Sequence, residues 1–390
     1  MQIQFVDQDK ARTKLLPLTY TRPIADLRVG ILRISEKWSK MLEASSYGYD
    51  TAAYLSLKFS LAQNPTIFIY NGLLPNLQLL ADITSLPAQT KLVANGKVLV
   101  SNAPIDRCDY TIEYLGEINQ IVYPWDIFSQ NGSEINKDFE LLTANRKSEQ
   151  ITDPHTICYG ENIFLEKGAK VKAAILNAEN GPIYLGKDTE ISEGAIVKGP
   201  FALCNHSVVN MGAKIKGDST IGPYSKVGGE ISNSVIQGYT NKGHDGFLGS
   251  SVVGEWCNLG ADTNNSNLKN NYGNVKMWDF ESEVFKDTGL QFCGLIMGDH
   301  SKCGINTMFN TGTTVGVSSN IFGEGFPRTI VPSFAWGGAS GFVTYKLDKV
   351  YETAELVMSR KKVQLDDIER DILQHIFNLT SENRIWEKAQ

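Results

Sequence analysis

From Leu185 to Val227 an aliphatic residue returns at every sixth position: Leu185, Ile191, Val197, Leu203, Val209, Ile215, Ile221 and Val227. Two places ahead of each return stands Thr189, Ala195, Phe201, Ser207, Ala213, Ser219 or Ser225, nearly all small. A period of six is neither the 3.6 of a helix nor the 2 of a strand, so no single element carries it. It fits a coil with three flat sides, one hexad per side. The aliphatic points into the prism and the small residue eases the corner. Such coils stack at strand spacing, about 4.8 Å, and hexapeptide repeats are a signature of a parallel β-helix. Met297, Cys303, Phe309, Val315 and Ile321 form a second series in the same rhythm. His206 and His300 fall at the fourth hexad position, which is expected to face outward.

Before the repeats the texture changes. Gln2 to Val6 alternates like a strand, and Thr66 to Tyr70 reads as a buried one. Val29 to Glu43 carries Ile31, Ile34 and Trp38 at helical spacing. Asn95-Gly96 between β-formers signals a hairpin over Leu92 to Val100. Ser133 to Asn145 reads as a helix capped by Ser133 or Asn136. Strands alternating with helices predict an α/β sandwich at residues 1–150. At the other end, Val350, Ala354, Val357 and Met358, then Leu365, Ile368, Ile372 and Ile376, recur at three and four. A helical segment at 339–390 is expected to cap the open end of the coil, whose edge would otherwise stay unpaired.

Composition narrows the function classes. Hydrophobic residues make up 42% and charged residues 21%, ordinary for a soluble protein. A net charge of -6 argues against nucleic acid as a main partner while leaving room for a local basic pocket. No apolar run approaches the length that spans a membrane, and the first ten residues lack a signal-peptide core. Six cysteines without paired metal spacing suit a reducing compartment, so the expected location is cytoplasmic.

Lys10 to Pro23 reads KARTKLLPLTYTRP. It resembles the opening of sugar-1-phosphate nucleotidyltransferases, in which a glycine-rich turn ending Gly-Thr-Arg precedes Pro-Leu-Thr and Arg-Pro-Lys. Thr13, Lys14, Pro17, Leu18, Thr19, Arg22 and Pro23 follow that pattern. The glycines are replaced by Lys10 and Arg12, the final lysine by Ile24, and the metal-binding aspartate after Asn71-Gly72 by Leu73. Tyr123 to Phe128 (YPWDIF) resembles the segment that closes this domain in archaeal-type members. Triphosphate chemistry needs an anion cradle and a carboxylate for Mg²⁺. The resemblance implies that Lys10, Arg12, Lys14, Arg22, Asn71, Gly72 and Asp126 face a sugar phosphate or nucleoside triphosphate. Mg²⁺ enters only if this domain turns over, and a domain that keeps the fold without the chemistry is the alternative.

After Val227 the six-residue rhythm breaks into NKGHDGFLGSSVVGEWCNLGADTNNSNLKNNYGN. This is similar to the acetyltransferase half of bifunctional glucosamine-1-phosphate acetyltransferase/uridylyltransferases. His244, Leu248-Gly249, Asn258-Leu259-Gly260-Ala261, Thr263 and Asn267 fall in step with that family. Acetyl transfer from coenzyme A to an amine needs a base, and a histidine can serve. It also needs an oxyanion donor, often a backbone N–H in a glycine turn. The resemblance implies His244 as general base with Asn267 beside it. Phe247 and Asn271 are implied at the acceptor, and Gly260, Ala261 and Arg328 at acetyl-CoA. Phe247 stands where the family has tyrosine, and Ser232 where it has a phosphate-binding lysine, so the acceptor sugar stays open.

The expectation is therefore an α/β nucleotidyltransferase-like domain at 1–150, a left-handed parallel β-helix at 151–338 and helices at 339–390. The left-handed turn and an acyl site between neighbours in a homotrimer come from the resemblance. Two rivals stand beside acetyl-CoA-dependent N-acetyl transfer. One is a nucleotidyltransferase using UTP or dTTP, and the other a non-catalytic trimeric scaffold.

Overall fold

The computed structural model describes residues 1–388; residues 389 and 390, the end of the expected helical segment, lie outside the described residues. Residues 157–344 wind into a left-handed β-helix, a prism whose three sides are sheets that are parallel up to a final antiparallel strand. One side has nine strands, from Ile163–Leu165 to Ile330–Val331. A second has ten, from Lys170–Val171 to Gly341–Thr344. The third runs from Ile157–Tyr159 to Phe247–Gly249 and continues through the pair Asn264–Asn265 and Met308–Phe309. Leu185, Leu203 and Ile221 are register partners on successive coils, so three hexads make one turn. All eight aliphatics of the long series, and the five residues of the second, lie in one buried core.

After Val227 the interior positions pass to Ile231 and Ile236, where corners shorten, and then to Leu248, Val253 and Leu259. Shortened corners explain the broken rhythm without any break in the prism. One column of corners is left-handed throughout, from Asp188, His206, Tyr224 and Tyr239 to Trp256, His300, Ser318 and Phe334. His206 stacks on Tyr224 at 4.6 Å, Tyr224 on Tyr239 at 5.1 Å, and Tyr239 on Trp256 at 4.1 Å. His300 continues the column and is buried, contrary to its expected outward position. The reason is what covers that corner: Trp256, Val317 and Phe334 pack against Tyr20, Leu55 and the C-terminal helices.

The N-terminal unit is a mixed six-stranded sheet with strands β1 (Gln2–Val6), β2 (Ser46–Asp50), β3 (Ile67–Tyr70), β4 (Thr90–Ala94), β5 (Lys97–Ser101) and β6 (Tyr110–Glu113). Their order is β2-β1-β3-β5-β4-β6. Asn95 and Gly96, both at positive φ, make the expected turn between β4 and β5. Its helices are α1 (Asp9–Lys14), α2 (Ile34–Met41), α3 (Leu77–Thr84) and α4 (Pro124–Thr143). Two boundaries differ from the periodicity. Helix α4 begins at Pro124, not Ser133, because proline is pre-set for the first turn and Asp126 accepts from the N–H groups of Val122 and Tyr123, at 2.9 and 2.8 Å. Helix α2 begins only at Ile34 because the chain before it turns at Gly30, with φ +79; a Cβ there would sit 2.6 Å from an Asp138 oxygen.

This unit packs along the nine-stranded side, and α4 lies across it. Outward residues of that side, Val235, Val252 and Ile296, join the core of the α/β unit; Phe164, Tyr184 and Ala202 pack with Ile31 and Ile135. Polar side chains match backbone to backbone. The Gln237 amide accepts from Arg28 N–H at 2.8 Å and donates to Arg28 C=O at 3.2 Å, as a neighbouring strand would. Asn131 accepts from Gly30 N–H at 2.7 Å and donates to the Asp218 carbonyl at 2.9 Å. Arg22, buried, pairs with Asp299, with Glu255 at 3.1 Å and with Asp26 at 3.6 Å.

Helices α5 (Leu347–Ser359) and α6 (Asp367–Leu379) follow, α6 capped by Asp366, which accepts from Glu369 N–H at 2.8 Å. Their apolar faces pack on both the coil corner and the N-terminal unit, so they strap the two together. The edge of the ten-stranded side is closed instead by the antiparallel hairpin Ala335–Gly338 and Gly341–Thr344.

Two outcomes are expected. Asp299→Asn leaves Arg22 buried with less countercharge and lowers stability by about 3–5 kcal/mol, read by urea unfolding of the full chain. Burial raises the Glu255 carboxyl, but Arg22 and Arg33 overcome it and hold the group well below the usual carboxylate range. A depressed folded pKa contributes stability above the unfolded value that is lost as pH falls toward the folded one. Acid titration of stability below about pH 4.5 is therefore steeper in the native chain than in Glu255→Gln.

Candidate active site

His244 stands on the turn between Asn241–Lys242 and Phe247–Gly249, at the corner joining the ten-stranded and third sides. The turn requires glycine: Gly246 has φ +113, and a Cβ on it would lie 2.2 Å from the Thr263 carbonyl oxygen. His244 is exposed, and among the described residues its imidazole makes no hydrogen bond or ion pair. It opens on a cleft of about 920 Å³ lined also by Ser192, Asn210, Asp245, Ala261 and Asp262. Among the described residues, the N–H groups of His244, Asp245 and Gly246 have no acceptor in the chain. An exposed imidazole beside unpaired amide donors is equipped to take a proton and to face a developing oxyanion.

The other predicted residues of the coil divide. Ala261 lines the cleft with His244; a Cβ on Gly260 would lie 2.4 Å from Gly304, so Gly260 serves close coil stacking. Phe247 and Asn267 meet on the third side, around Gly249: a Cβ there would touch the Phe247 ring at 2.4 Å and the Asn267 amide at 2.7 Å. Asn267 donates to Ser250 Oγ at 3.3 Å. Asn264 and Asn265 are structural partners of the same strand. They accept from Phe247 and Gly249 N–H at 2.8 and 2.9 Å, replacing a missing stretch of ladder. Asn271 is exposed, its Oδ1 accepting from Gly273 N–H at 3.1 Å. Arg328 lies elsewhere, on a cavity of about 980 Å³ walled by Tyr20, Trp278, Phe280, Phe342 and Trp386. It makes no ion pair among the described residues.

In the N-terminal unit the predicted cations do not converge on an open cradle. Arg12 is buried and donates to Thr51 Oγ1 at 2.6 Å, to the Thr19 carbonyl at 2.7 Å and to Tyr54 at 3.2 Å. Arg22 is held by coil carboxylates, and Lys14 pairs with Glu281 at 3.1 Å. That glutamate belongs to an excursion of the coil whose hairpin, Lys276–Asp279 and Val284–Asp287, packs on the N-terminal unit. Lys10 is exposed. Asn71 exchanges hydrogen bonds with Gln8, and a Cβ on Gly72 would meet the Ile121 carbonyl at 2.8 Å. The carboxylates are likewise engaged. Asp126 caps α4, and Asp7 accepts from Ile24 N–H at 3.0 Å and Thr51 at 2.8 Å, its carboxyl pushed up by burial. Leu73 is core. These residues do not fit a Mg²⁺–triphosphate site.

Two features escaped the sequence reading. One is the set of coil carboxylates, Glu255 and Asp299, that receive Arg22; nothing local marks them. The other is Lys242, one hexad after Ile236 and one before Leu248, an interior position that the period itself could have flagged.

Residues 3–147 match the family described as "Sugar nucleotidyl transferase". The "Bifunctional protein GlmU" of Methanococcus maripaludis is 26% identical over 303 residues, covering 77% of this chain and 60% of that protein. Its namesake from Methanocaldococcus jannaschii is 28% identical over 254 residues, 64% of this chain and 52% of that protein. The "Uncharacterized acetyltransferase YaiX" of Escherichia coli is 26% identical over 197 residues, 50% of this chain and 75% of that protein. The chain thus spans less than two thirds of the GlmU proteins it matches. By sequence, its N-terminal unit matches the sugar nucleotidyl transferase family over residues 3–147, and most of its length is similar to bifunctional GlmU proteins.

Proposed function

We propose that the chain is an acyltransferase of nucleotide-sugar metabolism, moving an acetyl group from acetyl-CoA to the amine of an amino-sugar phosphate. The observation that carries this reading is His244, exposed at the head of a cleft on a β-helix corner, with unpaired N–H groups beside it. The imidazole takes the proton as the amine attacks the thioester carbonyl. The C–N bond forms, the oxyanion collapses, the C–S bond breaks, and the proton passes on to the leaving thiolate. Asn267 and Phe247 stand one strand away, on the side where the acceptor would lie.

A homotrimer supports this chemistry. The N-terminal unit covers the nine-stranded side, leaving the corner that bears His244 open to a second copy. The reaction needs no nucleic acid or membrane, and among the described residues no helix is long and apolar enough to cross one. The N-terminal unit serves as a docked fold without nucleotidyl turnover, because Arg12, Arg22, Asp7 and Asp126 are committed to internal partners.

His244→Ala is expected to lower acetyl transfer by at least about 10²-fold while leaving the melting temperature unchanged, since the side chain is exposed. Thiol release from acetyl-CoA with glucosamine-1-phosphate and other amino-sugar phosphates measures it; unchanged turnover removes His244 as the base. With Mg²⁺ and UTP, dTTP or GTP, sugar-1-phosphates are expected to release no pyrophosphate; robust release would restore the nucleotidyl reading. Sedimentation of the full chain is expected at three times 43.1 kDa.

A further inference from the structure

Lys242 occupies a place that the coil otherwise gives to aliphatics. It pairs in register with Val227 on the preceding coil and is 1% exposed. Its ammonium reaches back into the turn and donates to the carbonyl oxygens of His244 at 2.8 Å, Asp245 at 3.2 Å and Gly228 at 3.3 Å. An ammonium has three donors, and all three are used. No carboxylate lies within ion-pair distance among the described residues. Burial pushes the group down to about 8, against the pull of Asp245, Cys303 and Asp262.

A lysine in this position costs the fold stability, since an aliphatic would fill the same space without desolvating a charge. Its return is local. In a planar trans peptide the C=O and N–H point in opposite directions. With the His244 carbonyl drawn inward, the Asp245 N–H faces away from the core; the Asp245 carbonyl also accepts from Asp262 N–H at 3.0 Å, so the next coil already sets the plane that follows. The Asp245 N–H has no acceptor among the described residues, and Asp245 lines the cleft.

We propose that Lys242 is a positioning residue: from inside the prism it turns the His244–Asp245 peptide plane so that its N–H faces the cleft as an oxyanion donor. The proposal rests on reading the cleft as the acyl-transfer site. It assigns the Asp245 N–H to the thioester oxygen, and it gives the buried charge its task.

The test uses full-length Lys242→Met, which keeps the volume and removes the donors. Its melting temperature is expected to equal or exceed that of the native chain. Amide exchange over residues 243–246 rises at least tenfold while neighbouring coils stay protected. With acetyl-CoA and the amino-sugar phosphate that the native chain turns over, kcat falls at least tenfold and KM for acetyl-CoA stays within twofold. Lys242→Gln, which can still donate to two carbonyls, recovers part of the lost kcat, and it stands in should the methionine variant not fold. Unchanged exchange at 243–246 overturns the proposal. So does a lowered melting temperature with exchange raised throughout the coil, which marks a merely structural lysine. Loosened exchange with unchanged kcat, in an enzyme that His244→Ala inactivates, removes the oxyanion role. If His244→Ala leaves transfer intact, the acyl-transfer reading fails on its own, and exchange alone still judges whether Lys242 holds the turn.

Discussion

The buried Arg22 guanidinium is the interaction on which the arrangement of this protein turns. Taking an arginine out of water is costly unless its charge is matched. Here two of the matching carboxylates, Asp299 and Glu255, come from the coil, and the third, Asp26, from the arginine's own unit. Neither part can satisfy Arg22 alone. The apolar contacts around Val235, Val252 and Ile296 supply the area, and the charge cluster supplies the register. A slide of one coil would carry Asp299 and Glu255 away from the guanidinium and Gln237 away from the Arg28 backbone.

That docking decides what the rest of the molecule can do. A segment that resembles a phosphate-binding signature lies against the coil, its Arg12 and Arg22 bound from within. The side of the prism that could have faced a neighbour is occupied by the chain's own N-terminal unit. What stays open is the corner at His244, where a full hexad carrying Gly243 and Gly246 stands over the shortened Gly228-Gly229 corner and lets the backbone turn outward.

The coil was legible because one constraint, an aliphatic pointing inward at each side, repeats until chance is excluded; every residue of the long series is core. The N-terminal strands and the Asn95-Gly96 hairpin were legible for the same local reason. The ends of α2 and α4 were not, since they are set by Gly30 against Asp138 and by Asp126 capping at a distance from the periodic residues. His244 could be singled out from its glycine flanks and the family pattern. The coil partners of Arg22 could not, because an ion pair across 277 residues leaves no mark in a one-dimensional pattern. Lys242 is the intermediate case: its register is plain in the period, but a lysine among aliphatics reads as an interruption until its carbonyl partners are seen.

Side chains of Gln237 and Asn131, and the α4 helix that crosses several coils, have a consequence for how the chain comes apart. A bare solenoid is nearly a one-dimensional stack, in which each turn feels only its neighbours and the ends can fray one after another. Here a single rigid body touches the stack from Phe164 to Ile296 and ties early turns to late ones. Loss of one turn would strip partners from a body that also holds turns far away. The stack therefore behaves as one cooperative block, melting in a single transition where an undocked coil of the same length would unzip from its ends.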